Sequence, residues 1–168
     1  MIKTLYADGG VIGHNPSGIG GTWAWCLANE ADEMIAHGQG HITPAEAEMP
    51  GITNNLTEML ALIRGLEQLP VDFKGTVCSD SQITLGRVFW GWKWSNIPGW
   101  MHRRFQAARK RLVNFEQITV VQLDGHPTVA QLGAKIGKRG NPVSKHNVWC
   151  DRACGEAAQN YLRMMEPA

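Results

Sequence analysis

The alternation of apolar and polar residues predicts three strands in the first quarter of the chain. Residues 2–8 alternate with the period of two that is typical of a strand and end at the sequence DGG, a turn signal. The apolar stretch TWAWCLAN, residues 22–29, predicts a second strand, and residues 33–42 predict a third. Together they predict an antiparallel meander. The sequence TPAEAEMPG that follows predicts a loop.

The sequence TNNLTEMLALIRGLEQL, residues 53–69, has the period of an amphipathic helix. At 100° per residue, one stripe about 120° wide contains five apolar side chains. They are Met59, Leu62, Ile63, Leu66 and Leu69. Glu58 lies about 20° beyond the edge of that stripe. The pattern therefore predicts a helix that packs through its apolar stripe and holds one carboxylate at the border of the packed face.

The second half of the chain predicts two more strands and three more helices. Residues 75–81, GTVCSDS, form a short apolar run that ends on a carboxylate, and residues 117–123, QITVVQL, predict the fifth strand. The predicted helices cover residues 81–89, 101–115 and 147–165, and the predicted long loop covers residues 125–145. This order predicts an α/β fold in which a five-stranded mixed sheet, an antiparallel meander plus parallel strands, is flanked by helices.

Length and composition are those of an ordinary globular protein. The chain has 168 residues, 43% hydrophobic and 18% charged, which suits a single domain over residues 1–168. No apolar run approaches the roughly 18 residues of a membrane span, and the N-terminus lacks the apolar core of a signal peptide, so we expect no membrane partner and a cytoplasmic location. The four cysteines form no CxxC pair, which favours buried free thiols over a zinc site.

Charge is unevenly distributed along the chain. Residues 1–80 carry three basic and ten acidic side chains, a balance of −7, whereas residues 81–145 carry eleven basic and two acidic ones, a balance of +9. Such asymmetry favours an anionic partner, nucleic acid above all. The alternative is two solvated faces whose charges cancel.

Four carboxylates occupy positions at which an open α/β sheet binds ligands. Asp8 and Asp80 end predicted strands, Glu58 lies on the first long helix, and Asp151 lies early in the last one. Grouped carboxylates repel one another unless a cation neutralises them, and oxygen ligands without Cys or His favour Mg²⁺ or Mn²⁺. Singly, Asp8 also suits a turn, Asp80 a helix cap and Asp151 a helix N-terminus.

Five motifs in chain order resemble the signatures of type 1 ribonuclease H. They are YADGG, TNNLTEMLAL, SDSQ, GHP and NVWCDRA, and the resemblance covers nearly the whole chain. It implies endonucleolytic hydrolysis of the RNA strand in an RNA/DNA hybrid, with 3′-hydroxyl and 5′-phosphate ends. It also implies two Mg²⁺ ions per active site, with Mn²⁺ as a substitute, a hybrid nucleic acid as partner and a monomeric state.

The resemblance also implies roles for individual residues. The positions that match the family's metal-binding carboxylates are Asp8, Glu58, Asp80 and Asp151. His126 matches a catalytic histidine that assists proton transfer or product departure. Asn147 matches an asparagine kept four residues before the last aspartate, and we expect it to bind substrate. Because His126 follows Asp124 by two residues, the pattern predicts both on one side of a strand, with Asp124 raising the pKa of the histidine.

Four amide side chains match positions that the family uses along the minor groove of the hybrid. They are Asn15, Asn54, Asn55 and Gln82. An amide both donates and accepts hydrogen bonds, as does the 2′-hydroxyl that distinguishes RNA from DNA. For Asn54 the alternative is a helix cap.

Two segments depart from the family pattern. Only about twenty residues separate Asp80 from Trp100, too few for the basic protrusion of several bacterial members. The Trp-rich segment 90–100, with Lys93, Arg103 and Arg104, is predicted to replace it through stacking and phosphate contacts, although core packing is the alternative for Trp90 and Trp100. The second segment, residues 127–146, is longer than usual and basic. Its cationic residues Lys135, Lys138, Arg139 and Lys145 suit either phosphate binding or a disordered flap.

Three other functions compete with hybrid cleavage. A DNA nuclease of the same superfamily, such as a junction resolvase, would share the acids but not the tandem asparagines. A non-catalytic hybrid-binding module would usually lack one of the four acids, and all four are present. A small-molecule enzyme is disfavoured because the chain has no phosphate loop or nucleophile motif.

Overall fold

Five strands form one mixed sheet in the computed structural model, which describes residues 1–167. The strands are β1 (Ile2–Val11), β2 (Gly21–Asn29), β3 (Met34–Ile42), β4 (Thr76–Ser79) and β5 (Thr119–Gln122). Their order across the sheet is β3-β2-β1-β4-β5. The first three pair antiparallel, and β4 runs parallel to both β1 and β5, which confirms the predicted mixed sheet.

Six helices accompany the sheet. They are α1 (Pro44–Ala47), α2 (Asn54–Glu67), α3 (Gln82–Phe89), α4 (Gly99–Arg111), α5 (Val129–Ala134) and α6 (Lys145–Met164), with a 3₁₀ turn at Phe115–Gln117. Short helices α1 and α5 lie in segments predicted as loops. Each begins with a capping box, formed by Thr43 with Glu46 and by Thr128 with Gln131. Among residues 1–167, no helix is long and apolar enough to cross a membrane.

The larger hydrophobic core lies between the sheet and helices α2, α3 and α4. The whole predicted stripe of α2 is buried in it, and Leu56 and Leu60 are buried as well. A further contact joins α2 to the sheet, because the guanidinium of Arg64 lies 4.2 Å from the centre of the Trp23 ring on β2. These contacts together fix the position of α2 against β1 and β2.

Helix α6 packs on the opposite face of the sheet. Cys150, Ala153 and Cys154 contact a small core that includes Tyr6 and Cys26. All four cysteines are free and buried, as predicted. Burial raises the pKa of the Cys78 thiol to about 12, which keeps it protonated and unreactive at neutral pH.

Strand β1 does not end at the sequence DGG, and the predicted turn there is wrong. The strand continues to Val11, so Asp8 lies inside it. A Cβ on Gly9 would stand 2.5 Å from the backbone nitrogen of Glu58 and 2.5 Å from the carbonyl carbon of Thr57. Glycine is therefore required at this position because helix α2 crosses β1 in direct backbone contact.

The Trp-rich segment divides into packed and exposed tryptophans. Trp94 donates to the Arg87 carbonyl at 3.0 Å, and Trp100 donates to the Ala47 carbonyl at 2.8 Å; both rings are half-buried against the larger core. Trp90 and Trp92 are exposed by 46% and 42%. Core packing is thus the arrangement of Trp100 but not of Trp90.

Candidate active site

Three carboxylates meet where β1, β4 and α2 come together. One oxygen atom from each of Asp8, Glu58 and Asp80 lies within 4.8 Å of the other two. The register of the sheet causes part of this convergence, because Tyr6 pairs with Cys78 and each aspartate lies two residues beyond that pair. The close approach of α2 over Gly9 brings in Glu58.

The cluster is electrostatically strained when it is fully ionised. Burial, reinforced by repulsion from Asp80, raises the pKa of Asp8 to about 7. Burial and the charges of the two aspartates also raise the pKa of Glu58 well above its ordinary value. Burial raises the pKa of Asp80 as well, against a hydrogen bond from Asn147 and the charge of His126. Removal of these carboxylates from water therefore favours protonation or a bound cation.

The donor set fits a hard divalent cation. The Oε2 atom of Glu58 is buried and has no hydrogen-bond partner among the described residues. A buried carboxylate oxygen that faces two further carboxylates is left unsatisfied unless a cation or proton occupies the space between them. The group contains oxygen donors and no cysteine or histidine, which is the chemistry of a Mg²⁺ or Mn²⁺ site.

Asp151 lies beside this group but not within it. Its carboxylate on α6 is 54% exposed, and its Oδ2 atom lies 3.6 Å from Nδ1 of His126. The charge of Asp151 contributes to the raised pKa values of Asp8 and Asp80, so the carboxylate faces the cluster. A cavity of about 280 Å³ joins Asp80, His126, Asn147 and Asp151.

Asn147 lies at the inner wall of that cavity. Its side-chain nitrogen donates to Oδ2 of Asp80 at 3.3 Å, and the residue is 2% exposed. Asn147 was predicted to bind substrate, but its burial makes it a positioning residue that orients Asp80. The helix that carries it begins at the Ser144 cap, whose side chain accepts from the backbone of His146.

The predicted pairing of His126 with Asp124 is wrong. Strand β5 ends at Gln122, and the Asp124 carboxylate accepts hydrogen bonds from the backbone of Arg139 and Asn141 instead. Although burial opposes it, these bonds lower the pKa of Asp124. His126 takes a left-handed backbone conformation, with φ of 49°, and exposes its ring toward Asp151.

The four predicted amides are exposed, on the β1–β2 loop and at the starts of α2 and α3. The side-chain oxygen of Asn15 accepts from the backbone nitrogen of Asn54 at 3.2 Å, which joins the β1–β2 loop to the start of α2. Thr53 caps α2 by accepting from the backbone of Leu56, so the capping role considered for Asn54 is not observed. Asn55 is exposed one turn before Glu58, and Gln82 is exposed two residues after Asp80.

The three basic residues predicted to contact substrate have different surroundings. Lys93 and Arg103 are exposed. The Arg104 guanidinium forms two hydrogen bonds with the Glu67 carboxylate, at 2.6 and 2.8 Å. Glu67 follows Glu58 by nine residues, which is about 13 Å along α2. Arg104 therefore holds α4 against the far end of α2, and this ion pair replaces the predicted substrate contact.

Two residues shape the site in ways that the sequence did not predict. Gly9 permits the approach of α2 to β1, and Asp124 organises the segment that follows His126. For Gly9 the sequence contains a signal, because the strand pattern resumes at Val11 after the two glycines. The partners of Asp124 lie 15 and 17 residues away in an irregular segment, which leaves no periodic signal for the second.

Comparison with known proteins agrees with this arrangement. Residues 2–159 match the sequence model of the RNase H family, and the chain therefore belongs to that family. A ribonuclease H of Desulforamulus reducens is 31% identical over 108 residues, which are 62% of this chain and 59% of that protein. The match thus spans about three fifths of the length of this relative.

Solved structures share the fold over almost the whole chain. The RNase H1 of the halophilic archaeon Halobacterium salinarum has a TM-score of 0.62 at 21% identity, over 95% of this chain and 98% of its own. LC11-RNase H1, isolated from compost, is similar with a TM-score of 0.66 at 20% identity, over 96% of this chain and 99% of its own. That protein was crystallised in complex with an RNA/DNA hybrid.

Proposed function

We propose that the chain is an endoribonuclease that hydrolyses the RNA strand of RNA/DNA hybrids at the acidic cluster. The observation that carries the proposal is the convergence of Asp8, Glu58 and Asp80 within 4.8 Å, in a group that a cation would satisfy. Membership of the RNase H family and the hybrid complex of LC11-RNase H1 support the same substrate. The proposed products carry 5′-phosphate and 3′-hydroxyl ends.

The residues proposed to hold metal are Asp8, Glu58, Asp80 and Asp151. Three of them are grouped, and Asp151 faces the group across the cavity that also contains His126. We propose two Mg²⁺ ions per active site with substrate bound, and Mn²⁺ as a substitute. When bound, such ions activate water and stabilise the charge that develops on a phosphodiester during its hydrolysis.

His126 is proposed to move protons at the edge of the site. Its exposed ring can reach solvent and substrate, while Nδ1 faces Asp151 at 3.6 Å. A carboxylate in that position can orient the imidazole ring. Proton transfer to the departing 3′-oxygen, or assistance to product departure, is the role that this placement supports.

Selection of RNA is proposed to depend on the amides rather than on the carboxylates. Asn15 and Asn54 are linked by a hydrogen bond, Asn55 lies one turn before Glu58, and Gln82 lies two residues after Asp80. A hybrid whose minor groove crosses this surface would present 2′-hydroxyls to groups able to donate and accept. Asn54 has its side chain free for such contact because Thr53 caps the helix.

The test compares labelled RNA/DNA hybrid with duplex DNA and duplex RNA of the same sequence, with and without Mg²⁺. Cleavage of the hybrid's RNA strand alone, dependent on Mg²⁺ and leaving 5′-phosphate ends, is the expected result. Cleavage of duplex DNA but not of the hybrid would replace the proposal with a DNA nuclease of junction-resolvase type. Binding of the hybrid without cleavage would identify a non-catalytic binding module. A cytoplasmic location and a monomeric state stay predictions.

A further inference from the structure

Residues 125–144, which connect β5 to α6, form an ordered arm with its own internal structure. The arm contains α5 and a turn at residues 137–141 that folds back onto the end of β5. The buried carboxylate of Asp124 accepts three hydrogen bonds from that turn: from the backbone of Arg139 at 2.6 Å, the backbone of Asn141 at 3.2 Å and the Asn141 side chain at 3.0 Å. The alternative of a disordered flap is therefore wrong.

Backbone contacts fix the turn further. The Asp124 nitrogen donates to the Pro142 carbonyl at 2.9 Å, and the Gly137 nitrogen donates to the Asn141 carbonyl at 2.9 Å. A Cβ on Gly137 would stand 2.4 Å from Cβ of Asp124, so the turn lies directly on the aspartate. The backbone that carries Lys138 and Arg139 is thus held in place before any ligand binds, which reduces the entropy lost on binding.

The arm forms a cationic cavity next to the candidate active site. A cavity of about 410 Å³ is lined by Asp124, His126 and the cationic side chains of Lys138 and Arg139, together with Thr128 and Gln131. His126 also lines the cavity at the acidic cluster, so the two cavities share one wall. Within residues 1–167, neither the Lys138 ammonium nor the Arg139 guanidinium has a carboxylate oxygen within 4.0 Å, although the Arg139 backbone nitrogen donates to Asp124.

Four arginines of α3 and α4 are committed to internal contacts. Arg104 pairs with Glu67, Arg109 pairs with Glu116, and Arg111 donates to three carbonyls at the end of α2. Arg87 donates to the carbonyls of Lys93 and Ser95. The positive balance of residues 81–145 therefore overstates the charge that α3 and α4 offer to a ligand, and the arm supplies much of what is left.

We propose that Lys138 and Arg139 form a binding site for a backbone phosphate of the hybrid, next to the candidate active site and separated from it by His126. The proposal rests on the proposed function, because hybrid cleavage supplies the polyanion that the site would bind. An arginine fork and a lysine ammonium on a preordered turn suit a phosphodiester oxygen pair. Asp124 acts on this site as a positioning residue, since it holds the turn and does not face the ligand as a free acid.

The experiment measures hybrid affinity by fluorescence anisotropy at several salt concentrations in the non-cleaving Asp80→Asn background. Lys138→Ala/Arg139→Ala is expected to weaken binding about tenfold and to reduce the slope of log affinity against log salt by about 1–2. The matched control is Lys3→Ala/Lys74→Ala, which removes two exposed lysines. Both lie where β1 and β4 begin, at the ends of these strands away from Asp8 and Asp80. The control should alter neither quantity by a comparable amount.

Cleavage by the protein with Asp80 intact is followed in parallel, so the two proposals fail separately. If the hybrid is cleaved while the double variant keeps the parental affinity and salt slope, the phosphate site is wrong and the function stands. If the double variant weakens binding but no hybrid is cleaved, the function is wrong and the phosphate site stands. An equal loss in the Lys3/Lys74 control would also overturn the site. The site as a hybrid contact would also be overturned if inorganic phosphate competed only when Lys138 and Arg139 are present, while hybrid affinity were the same with and without these two residues.

Discussion

At the scale of the residue, the acidic cluster combines burial with mutual repulsion. Asp8 is 5% exposed inside β1, and its pKa of about 7 results first from burial and then from the charge of Asp80. The unfolded chain has neither effect, and its Asp8 carboxyl ionises near the ordinary value of 3.8. Without metal, the folded protein therefore binds protons more tightly than the unfolded chain between these two values.

Stability of the metal-free protein should depend on pH through Asp8. Because the folded-state pKa is raised, the free energy of unfolding falls as pH rises from about 4 to about 7. Asp8→Asn removes the charge and should raise the free energy of unfolding by about 1–3 kcal/mol at about pH 8, with little change near pH 4. Urea unfolding in the presence of a chelator measures this difference.

The exposed carboxylate Asp72 supplies the control, because its neutralisation in Asp72→Asn removes the same charge outside the cluster. This variant should show no comparable gain at high pH. Equal gains for Asp8→Asn at both ends of the pH range would contradict the burial of a charged Asp8.

At the scale of the element, the contact between β1 and α2 sets the position of Glu58. Gly9 lies under the backbone of Thr57 and Glu58, and Gly65 of the same helix lies against the Leu5 side chain. Helix α2 is consequently held at two points along β1. A small movement of either element would separate Glu58 from the two aspartates.

A side chain at Gly9 should disturb both stability and activity. Gly9→Ala places a Cβ 2.5 Å from backbone atoms that cannot rotate away, so α2 must shift. We expect a loss of about 1–3 kcal/mol in the free energy of unfolding, measured by urea denaturation, together with slower hybrid cleavage. Gly18→Ala is the matched control, because its Cβ would meet nothing within 4 Å. If Gly9→Ala had wild-type stability and activity, the close approach would not matter.

The elements differ in how far the sequence predicts them. Strands β2 and β3 and helices α2, α3 and α6 follow from the sequence pattern to within a residue or two. Strand β2 is a continuous apolar run that is buried on both faces, and β3 alternates between more and less exposed residues. Helices α1 and α5 escape prediction because four and six residues are too few for a period to show, and their capping boxes are the only local signal. The position of Asp8 inside β1 depends on Gly9 and α2, which is tertiary information.

The site shows the same division. Convergence of three carboxylates is predictable, since Asp8 and Asp80 follow the apolar runs of two predicted strands and the helix stripe places Glu58 at its border. The partners of His126 and Arg104 are not, because they depend on where an irregular segment and the far end of α2 come to lie. Short-range sequence pattern therefore predicts which carboxylates are grouped, whereas long-range packing determines which polar side chains remain free.

At the scale of the whole molecule, negative charge is gathered at the cluster and unpaired positive charge lies on the arm beside it. Repulsion around Asp8, Glu58 and Asp80 opposes the approach of a phosphodiester, and cations at the cluster together with Lys138 and Arg139 would offset it. Exposed amides lie close in sequence to Glu58 and Asp80. Under the proposed function, this distribution would attract a nucleic acid and restrict its cleavage to the place where metal is bound.

The most direct measurement is the rate at which Glu58→Gln cleaves the RNA strand of a hybrid at saturating Mg²⁺. Glutamine keeps the size and place of the side chain but removes its charge, so the rate should fall by about a hundredfold or more while hybrid affinity is kept. Glu156→Gln, on the exposed face of α6, is the control and should cleave at the wild-type rate. Wild-type cleavage by Glu58→Gln would contradict the assignment of the acidic cluster as the site of hydrolysis.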